Sequence, residues 1–240
     1  MPSENGKKSK AHDFYQYFEE LFDRYSKLSE IGYEVISYDD FQSDSFVRKI
    51  LLDIIDRESE FKHLLNPADN ILKFRFRCDL CNFQEKSVKT REKIRQDGKY
   101  DVTYATDCFK HGIFESTITP DNNTFVDMNT PLRSVIRKAK LIEDSREQDS
   151  LNIMVDGSDW CYITPILSQG LHLLGYGFDG FLERIFSPLV VDWSGAKFSK
   201  SIYVKKETYK GIPQGFINYK TFLKEFGDDG FLKLWDEIQT

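Results

Sequence analysis

The chain has 240 residues, a formal charge of −6, and 40% apolar and 30% charged side chains. That is enough apolar material for a sizeable core, and it excludes a disordered or collagen-like chain. The acidic total also excludes a generic nucleic-acid coat, since non-specific phosphate binding needs an excess of Lys and Arg.

The total hides a gradient: −6 over residues 1–70, +5 over 71–140 and −5 over 141–240. Residues 1–11 read as a polar, flexible tail without the apolar stretch of a signal peptide. From Asp13, the positions Phe14, Phe18, Leu21, Phe22, Tyr25 and Leu28 share one helical face, which stops at Gly32. Tyr33 to Ser37 predicts a short strand. A second amphipathic helix follows Ser43-Asp44-Ser45 through Val47, Ile50, Leu51, Ile54, Ile55, Phe61 and Leu65, and Asn66-Pro67 ends it.

Residues 71–77 alternate apolar and basic, as a strand with one wet face does. Further strands are expected at 100–104 and 112–117, with the charged segment 85–99 projecting as a loop. Thr130-Pro131 supplies a cap and first-turn proline for a helix at about 131–142. Residues 151–155 form an apolar run fit for a buried parallel strand. Thr164-Pro165 opens a helix ending near Gly175, a strand follows at 185–191, and short helices at about 219–226 and 230–238 close the chain. Strand–helix–strand from 151 to 191 predicts a doubly wound α/β layer interrupted upstream by a small β insertion.

Four cysteines are too few for a disulfide scaffold at this length, which places the protein in a reducing compartment, the cytoplasm. The longest uncharged stretch, Trp160 to Phe178, contains Pro165, Gln169, His172 and three glycines, so no membrane partner is expected.

Cys78-x2-Cys81 is followed, after 26 intervening residues, by Cys108-x2-His111. Two such pairs suit tetrahedral zinc, each short loop presenting two ligands. A closed four-ligand site of this kind is structural, because no position is left for a reacting water. The alternative is a set of unconnected buried cysteines. Cys161 and His172 read as core or near-core residues without a role.

The loop 192–201 follows the last strand and carries Lys197 and Lys200 among Ser199 and Ser201. Ligands sit at the carboxyl ends of strands in open α/β sheets. Ammonium groups there can follow charge building on phosphate oxygens. Upstream, Val155-Asp156-Gly157-Ser158-Asp159-Trp160 again follows an apolar strand. Gly157 allows close backbone approach to a ligand, and Asp159 can accept from ribose hydroxyls. A solvated lysine loop and a capping aspartate are the alternatives.

These residues resemble class I aminoacyl-tRNA synthetases. Lys197-Phe198-Ser199-Lys200-Ser201 is similar to the K-M-S-K-S loop with Phe for Met, and Gly157-Ser158-Asp159 to the G-x-D motif before the adenosine-binding helix, with Trp160 where His or Gln is usual. Residues 12–37, 74–81 (FRFRCDLC) and 125–137 (FVDMNTPLRSVIR) resemble class I lysyl-tRNA synthetase around its zinc-bearing insertion. The resemblance implies the second half of a Rossmann nucleotide-binding fold with a zinc-ribbon-like β insertion. Residues 12–70 would lead into the insertion at 71–125, 126–205 would carry the two motifs, and 206–240 would form a C-terminal helical segment.

The activity implied is formation of an acyl-adenylate from ATP with magnesium, and acyl transfer to tRNA. Lys197 and Lys200 would act on the phosphates, Gly157, Asp159, Ser199 and Ser201 would hold the nucleotide, and the insertion would face the acceptor stem. The chain contains no H-I-G-H sequence and runs only 39 residues past Ser201. A truncated or split enzyme completed by a separate polypeptide carrying the H-I-G-H half is therefore expected. Two other outcomes stay open: a non-catalytic zinc-containing RNA- or protein-binding relic, and an adenylating enzyme acting on a non-tRNA acceptor. Within the +5 region, Lys86, Lys89, Arg91, Lys93, Arg95 and Lys99 read equally as a tRNA-facing patch or a solvated hairpin.

Overall fold

A computed structural model describes residues 10–84, 91–177, 183–189, 191, 219–227, 230 and 232. The chain divides into two units, Met1–Val35 with Val190–Thr240, and Ile36–Leu189. The fold is mixed helix and strand with small sheets. No helix among the described residues is long and apolar enough to cross a membrane.

In the first unit, helix α1 (Lys10–Ser29) forms where a helix is predicted but ends before the expected Gly32, with Glu30 at φ 58°, and Phe18 and Phe22 of the predicted apolar face are exposed. The strand expected at 33–37 does not form. Tyr33 instead turns back on α1, its hydroxyl donating to Asp23 Oδ1 at 2.7 Å and its ring lying 5.5 Å from that of Phe22. Residues 33–37 have no strand partner among the described residues.

The second unit opens with three helices where the sequence predicts one. Helix α2 (Tyr38–Ser43) is capped by Ser37, and α3 (Ser45–Asp56) by Asp44, whose carboxylate accepts from the Val47 N–H at 3.0 Å. The predicted long helix breaks at Arg57, which leaves helical geometry at φ −100°, ψ 32° before α4 (Glu58–Leu65). Arg57 bridges the break, donating to Glu60 at 2.8 and 2.5 Å and to the Leu173 carbonyl at 2.5 Å.

Strand β1 (Phe74–Phe76) buries Phe74 and Phe76, and pairs antiparallel with β5 (Val126–Met128) in the register Phe74↔Met128. Between them stands an antiparallel sheet of β2 (Glu92–Gln96), β3 (Val102–Cys108) and β4 (Gly112–Ile118). β2 occupies part of the predicted loop. Its five residues are all exposed and mostly charged, so it carries no alternation to read. Backbone pairing to β3, with an irregularity between Lys93 and Arg95, is what makes it a strand. A charged strand at a sheet edge also discourages further pairing.

Phe74 packs edge-on against Phe76 at 5.8 Å and Tyr104 at 5.3 Å, the Phe76 and Tyr104 rings lie tilted at 5.7 Å, and the three join β1 to β3. Arg48, buried on α3, fastens the returning loop by donating to the carbonyls of Thr119 and Thr124, to Asn122 Oδ1 at 2.7 Å and to Gln42 Oε1.

Helix α5 (Thr130–Gln148) is capped by Asn129, not by the expected Thr130, and runs a further turn and a half past the predicted end. Strand β6 (Ile153–Gly157) and strand β7 (Glu183–Ser187) pair in parallel, joined through a 3₁₀ turn (Ser158–Ile163) and helix α6 (Thr164–Leu173). The predicted strand–helix–strand unit is therefore present as two strands. The burial expected for 151–155 holds on one face only: Met154 is buried while Leu151, Ile153 and Val155 are exposed. Helices α5 and α6 meet at Gly170, where a Cβ would lie 2.8 Å from Val135 Cγ2. Helix α7 (Tyr219–Phe226) matches the predicted 219–226, and the helix expected at 230–238 lies outside the described residues except for positions 230 and 232.

Candidate functional site

The four ligands predicted from spacing converge. Cys78 follows β1, and its N–H donates to the Phe83 carbonyl at 2.9 Å while its carbonyl accepts from the Asn82 N–H at 2.7 Å, folding the first knuckle around Cys81. Asn82 takes a positive φ of 57° to close this turn. The second knuckle is the β3–β4 turn. Cys108 pairs with Gly112 in the ladder, the His111 N–H donates to the Cys108 carbonyl at 3.1 Å, and Gly112 sits at φ 73°.

The ligand atoms of Cys78, Cys81, Cys108 and His111 all lie within 4.8 Å of one another. Cys78 Sγ is 3.4 Å from His111 Nδ1, Cys81 Sγ is 3.6 Å from Cys108 Sγ, and Cys108 Sγ is 3.7 Å from His111 Nδ1. A tetrahedral ion with metal–sulfur bonds of about 2.3 Å sets ligand separations of about 3.6–3.8 Å. The sulfurs are too far apart for a disulfide, which needs about 2.05 Å. The group is thus compatible with a metal such as zinc, held through His111 Nδ1. Burial pushes the Cys108 thiol up, but the N–H groups of Lys110 and His111, with Cys81 and the His111 ring, outweigh it and bring the thiol down to about 6. Burial pushes the Cys81 thiol up. Cys108 is therefore the thiol of the set that ionises most readily.

Gly157 and Asp159 also come together. Gly157 ends β6 opposite Ser187, the last residue of β7, so the turn stands at the carboxyl ends of a parallel pair. Asp159 folds back over Gly157, and a Cβ on Gly157 would meet its Oδ1 at 2.6 Å. A side chain at position 157 would therefore displace the Asp159 carboxylate from this turn. Trp160 and Tyr162 stack at 6.1 Å beside this turn. Lys197, Ser199, Lys200 and Ser201 lie outside the described residues. Cys161 and His172, expected near the core, are exposed.

The basic run is largely spent within the fold. Arg91 stacks 3.5 Å over the Phe74 ring and donates to the carbonyls of Leu72 and Phe74 at 2.8 and 2.5 Å. Arg95 pairs with Asp97 and Asp101, and Lys99 with Asp53 at 2.7 Å. Lys93 donates to Gln96, and Lys86 and Lys89 lie outside the described residues. A cleft of about 430 Å³ between α4 and α6, lined by Glu60, His63, Ser168, Gln169 and His172, holds none of the predicted site residues.

Sequence reasoning missed Lys138. Its signal is readable: it occupies the buried stripe Val135–Lys138–Ile142 of α5, at helical spacing, where only an apolar residue is expected. Comparison with protein-family models and with curated proteins finds no match.

Proposed function

We propose that this chain is the second half of a class I, lysyl-type aminoacyl-tRNA synthetase-like ligase, with a structural zinc centre in its insertion. It would work in ATP-dependent acyl-adenylate formation and transfer to tRNA, with a separate polypeptide supplying the H-I-G-H half. The observation that carries this reading is the parallel β6–α6–β7 unit with Gly157-Ser158-Asp159 at its carboxyl end, the position where α/β sheets take their ligands. The exposed apolar face of that pair, Ile153, Val155 and Ile185, supports a need for a covering polypeptide, since parallel sheets are normally covered on both faces.

In this reading Asp159 accepts from ribose hydroxyls, and Lys197 and Lys200 neutralise the phosphates and the departing pyrophosphate. Zinc would hold the two knuckles together, and it takes no part in the chemistry because all four positions are filled by the protein. The test is amino-acid-dependent ATP–pyrophosphate exchange. The isolated chain should show none, and adding the H-I-G-H polypeptide should restore it. Asp159→Ala or Lys200→Ala should then lower the rate at least 100-fold (~2.7 kcal/mol). Exchange by the isolated chain, or none with any such polypeptide, would overturn the proposal.

A second reading is a non-catalytic RNA- or protein-binding module. It draws on the exposed Leu80, Phe109 and Ile113 around the metal centre. Under it, binding survives Lys197→Ala and Lys200→Ala and fails when Cys78 or Cys108 is replaced.

A further inference from the structure

Helix α5 carries five cations: Arg133 stacks 5.4 Å over the Tyr38 ring, and the other four fall into two groups. Lys140 lies 2.6 Å from Asp144 and 3.8 Å from Asp44, and Arg146 lies 2.8 Å from Glu143. Each of these has its own carboxylate. Arg137 and Lys138, together with Arg184 of β7, have one among them: Asp156 is 3.3 Å from Arg184 and 4.0 Å from Arg137. Lys138 has no hydrogen bond or ion pair among the described residues.

Strand register sets two of the four groups: Met154 pairs with Arg184 and Asp156 with Phe186, so Arg184 and Asp156 share the face of β6–β7 opposite the exposed Ile153 and Val155. Arg137 reaches that face through its pairing with Asp156, and Lys138 is the next residue of α5. Lys138 is only 5% exposed and the Arg184 side chain only 8%, and Arg184 Nε is buried without a partner. The Arg137 side chain is 48% exposed, so the cluster opens to solvent on that side. Arg184 also reaches the Thr164 hydroxyl at 3.4 Å.

Two positive charges are thus in excess at a site where burying an uncompensated charge is costly. Burial first, and then the charges of Arg184 and Arg137, push the Lys138 ammonium down to about 8 against the opposing pull of Asp156. Arg137 is pushed down by the same burial.

We infer that Arg137, Lys138 and Arg184 form an oxyanion subsite for a phosphoryl group, beside the turn that Asp156 leads into. A dianion matches the excess charge, and two guanidinium forks favour a tetrahedral oxyanion with several oxygens over a lone carboxylate. The phosphoryl group can come from inorganic phosphate or pyrophosphate, or from a nucleotide. The site does not depend on the ATP reading of the Gly157–Asp159 turn.

The test uses the full chain at constant ionic strength, adjusted with chloride, with calorimetric titration and thermal midpoints read in parallel. The probes are phosphate, pyrophosphate, AMP, ATP and adenosine. Pyrophosphate should bind and raise the midpoint, adenosine should do neither through this site, and Arg137→Gln and Lys138→Met should each weaken pyrophosphate at least tenfold. Arg137 is half-exposed, so Arg137→Gln keeps the proposal testable if Lys138→Met alters stability by itself. Unchanged pyrophosphate affinity in Arg137→Gln and Lys138→Met, or no pyrophosphate binding by the wild type, would overturn it. Pyrophosphate binding without ATP binding would leave this site standing and count against the ATP reading. ATP binding that fails in Asp159→Ala but ignores Arg137→Gln would do the reverse.

Discussion

At the scale of single residues, the informative positions are those where a side chain contradicts its surroundings. Lys138 lies in the apolar stripe that Val135 and Ile142 define, and its folded-state pKa of about 8 lies below the ordinary 10.5. Below about pH 8 the lysine is protonated in both states, so the full cost of burying the ammonium is present. Between 8 and 10.5 the unfolded chain binds more protons than the folded one, so stability rises with pH, and above 10.5 the cost is gone. Denaturant titrations of the wild type without phosphate should follow that curve. Lys138→Met should flatten it and raise stability by ~1–3 kcal/mol at pH 7. A variant no more stable than wild type, with an unchanged pH profile, would show that Lys138 is already compensated in the folded chain.

At the scale of elements, the two knuckles and the strands beneath them have separable supports. β3 and β4 bury Val102, Tyr104 and Ile118 in the main core, whereas the turn residues Leu80 and Phe109 beside the ligands are exposed. Removing metal should therefore loosen the knuckles while leaving the hairpin in place. Elemental analysis should find one zinc per chain, and a strong chelator or Cys108→Ser should lower the thermal midpoint with little loss of far-ultraviolet strand signal. Because metal must hold thiolates, zinc affinity should fall steeply as pH drops below about 6, where Cys108 takes up its proton. Zinc binding that ignores pH between 5 and 7 would contradict this ligand set.

Elements differ in how plainly the sequence announces them. The Cys78-x2-Cys81 and Cys108-x2-His111 spacing was enough to place four ligands, because each pair is a local turn and its chemistry needs no long-range information. The β6–α6–β7 unit was legible in outline from its apolar run and Thr164-Pro165, but β7 lies at Glu183–Ser187 and not at the expected 185–191, because backbone pairing with β6 and not the apolar run sets its ends. β2 was not, since Glu92–Gln96 is defined by pairing with β3 and not by burial. The break at Arg57 was hidden because the apolar period continues through it. Nor does a run of charges such as 91–99 say whether its cations face solvent or, like Arg91 and Lys99, are taken up by neighbours.

At the scale of the whole molecule, the core and most of the proposed chemistry fall in one unit. Every residue of the main buried cluster, from Val47 to Tyr176, lies inside Ile36–Leu189, as do the four metal ligands, the Gly157–Asp159 turn and the Arg137–Lys138–Arg184 cluster. Lys197 and Lys200 lie outside the described residues and outside Ile36–Leu189. A fragment spanning residues 36–189 should accordingly fold cooperatively, bind one zinc, and retain pyrophosphate binding at the oxyanion cluster. It should lose any ATP-dependent exchange, because the lysines that would act on the phosphates are gone. Calorimetric unfolding with zinc analysis checks the first part, and exchange assays with the H-I-G-H polypeptide check the second. A fragment that unfolds without residues 190–240 would mean that the parallel pair, with Ile153, Val155 and Ile185 exposed, needs that segment for stability. Full exchange activity in the fragment would remove Lys197 and Lys200 from the proposed chemistry.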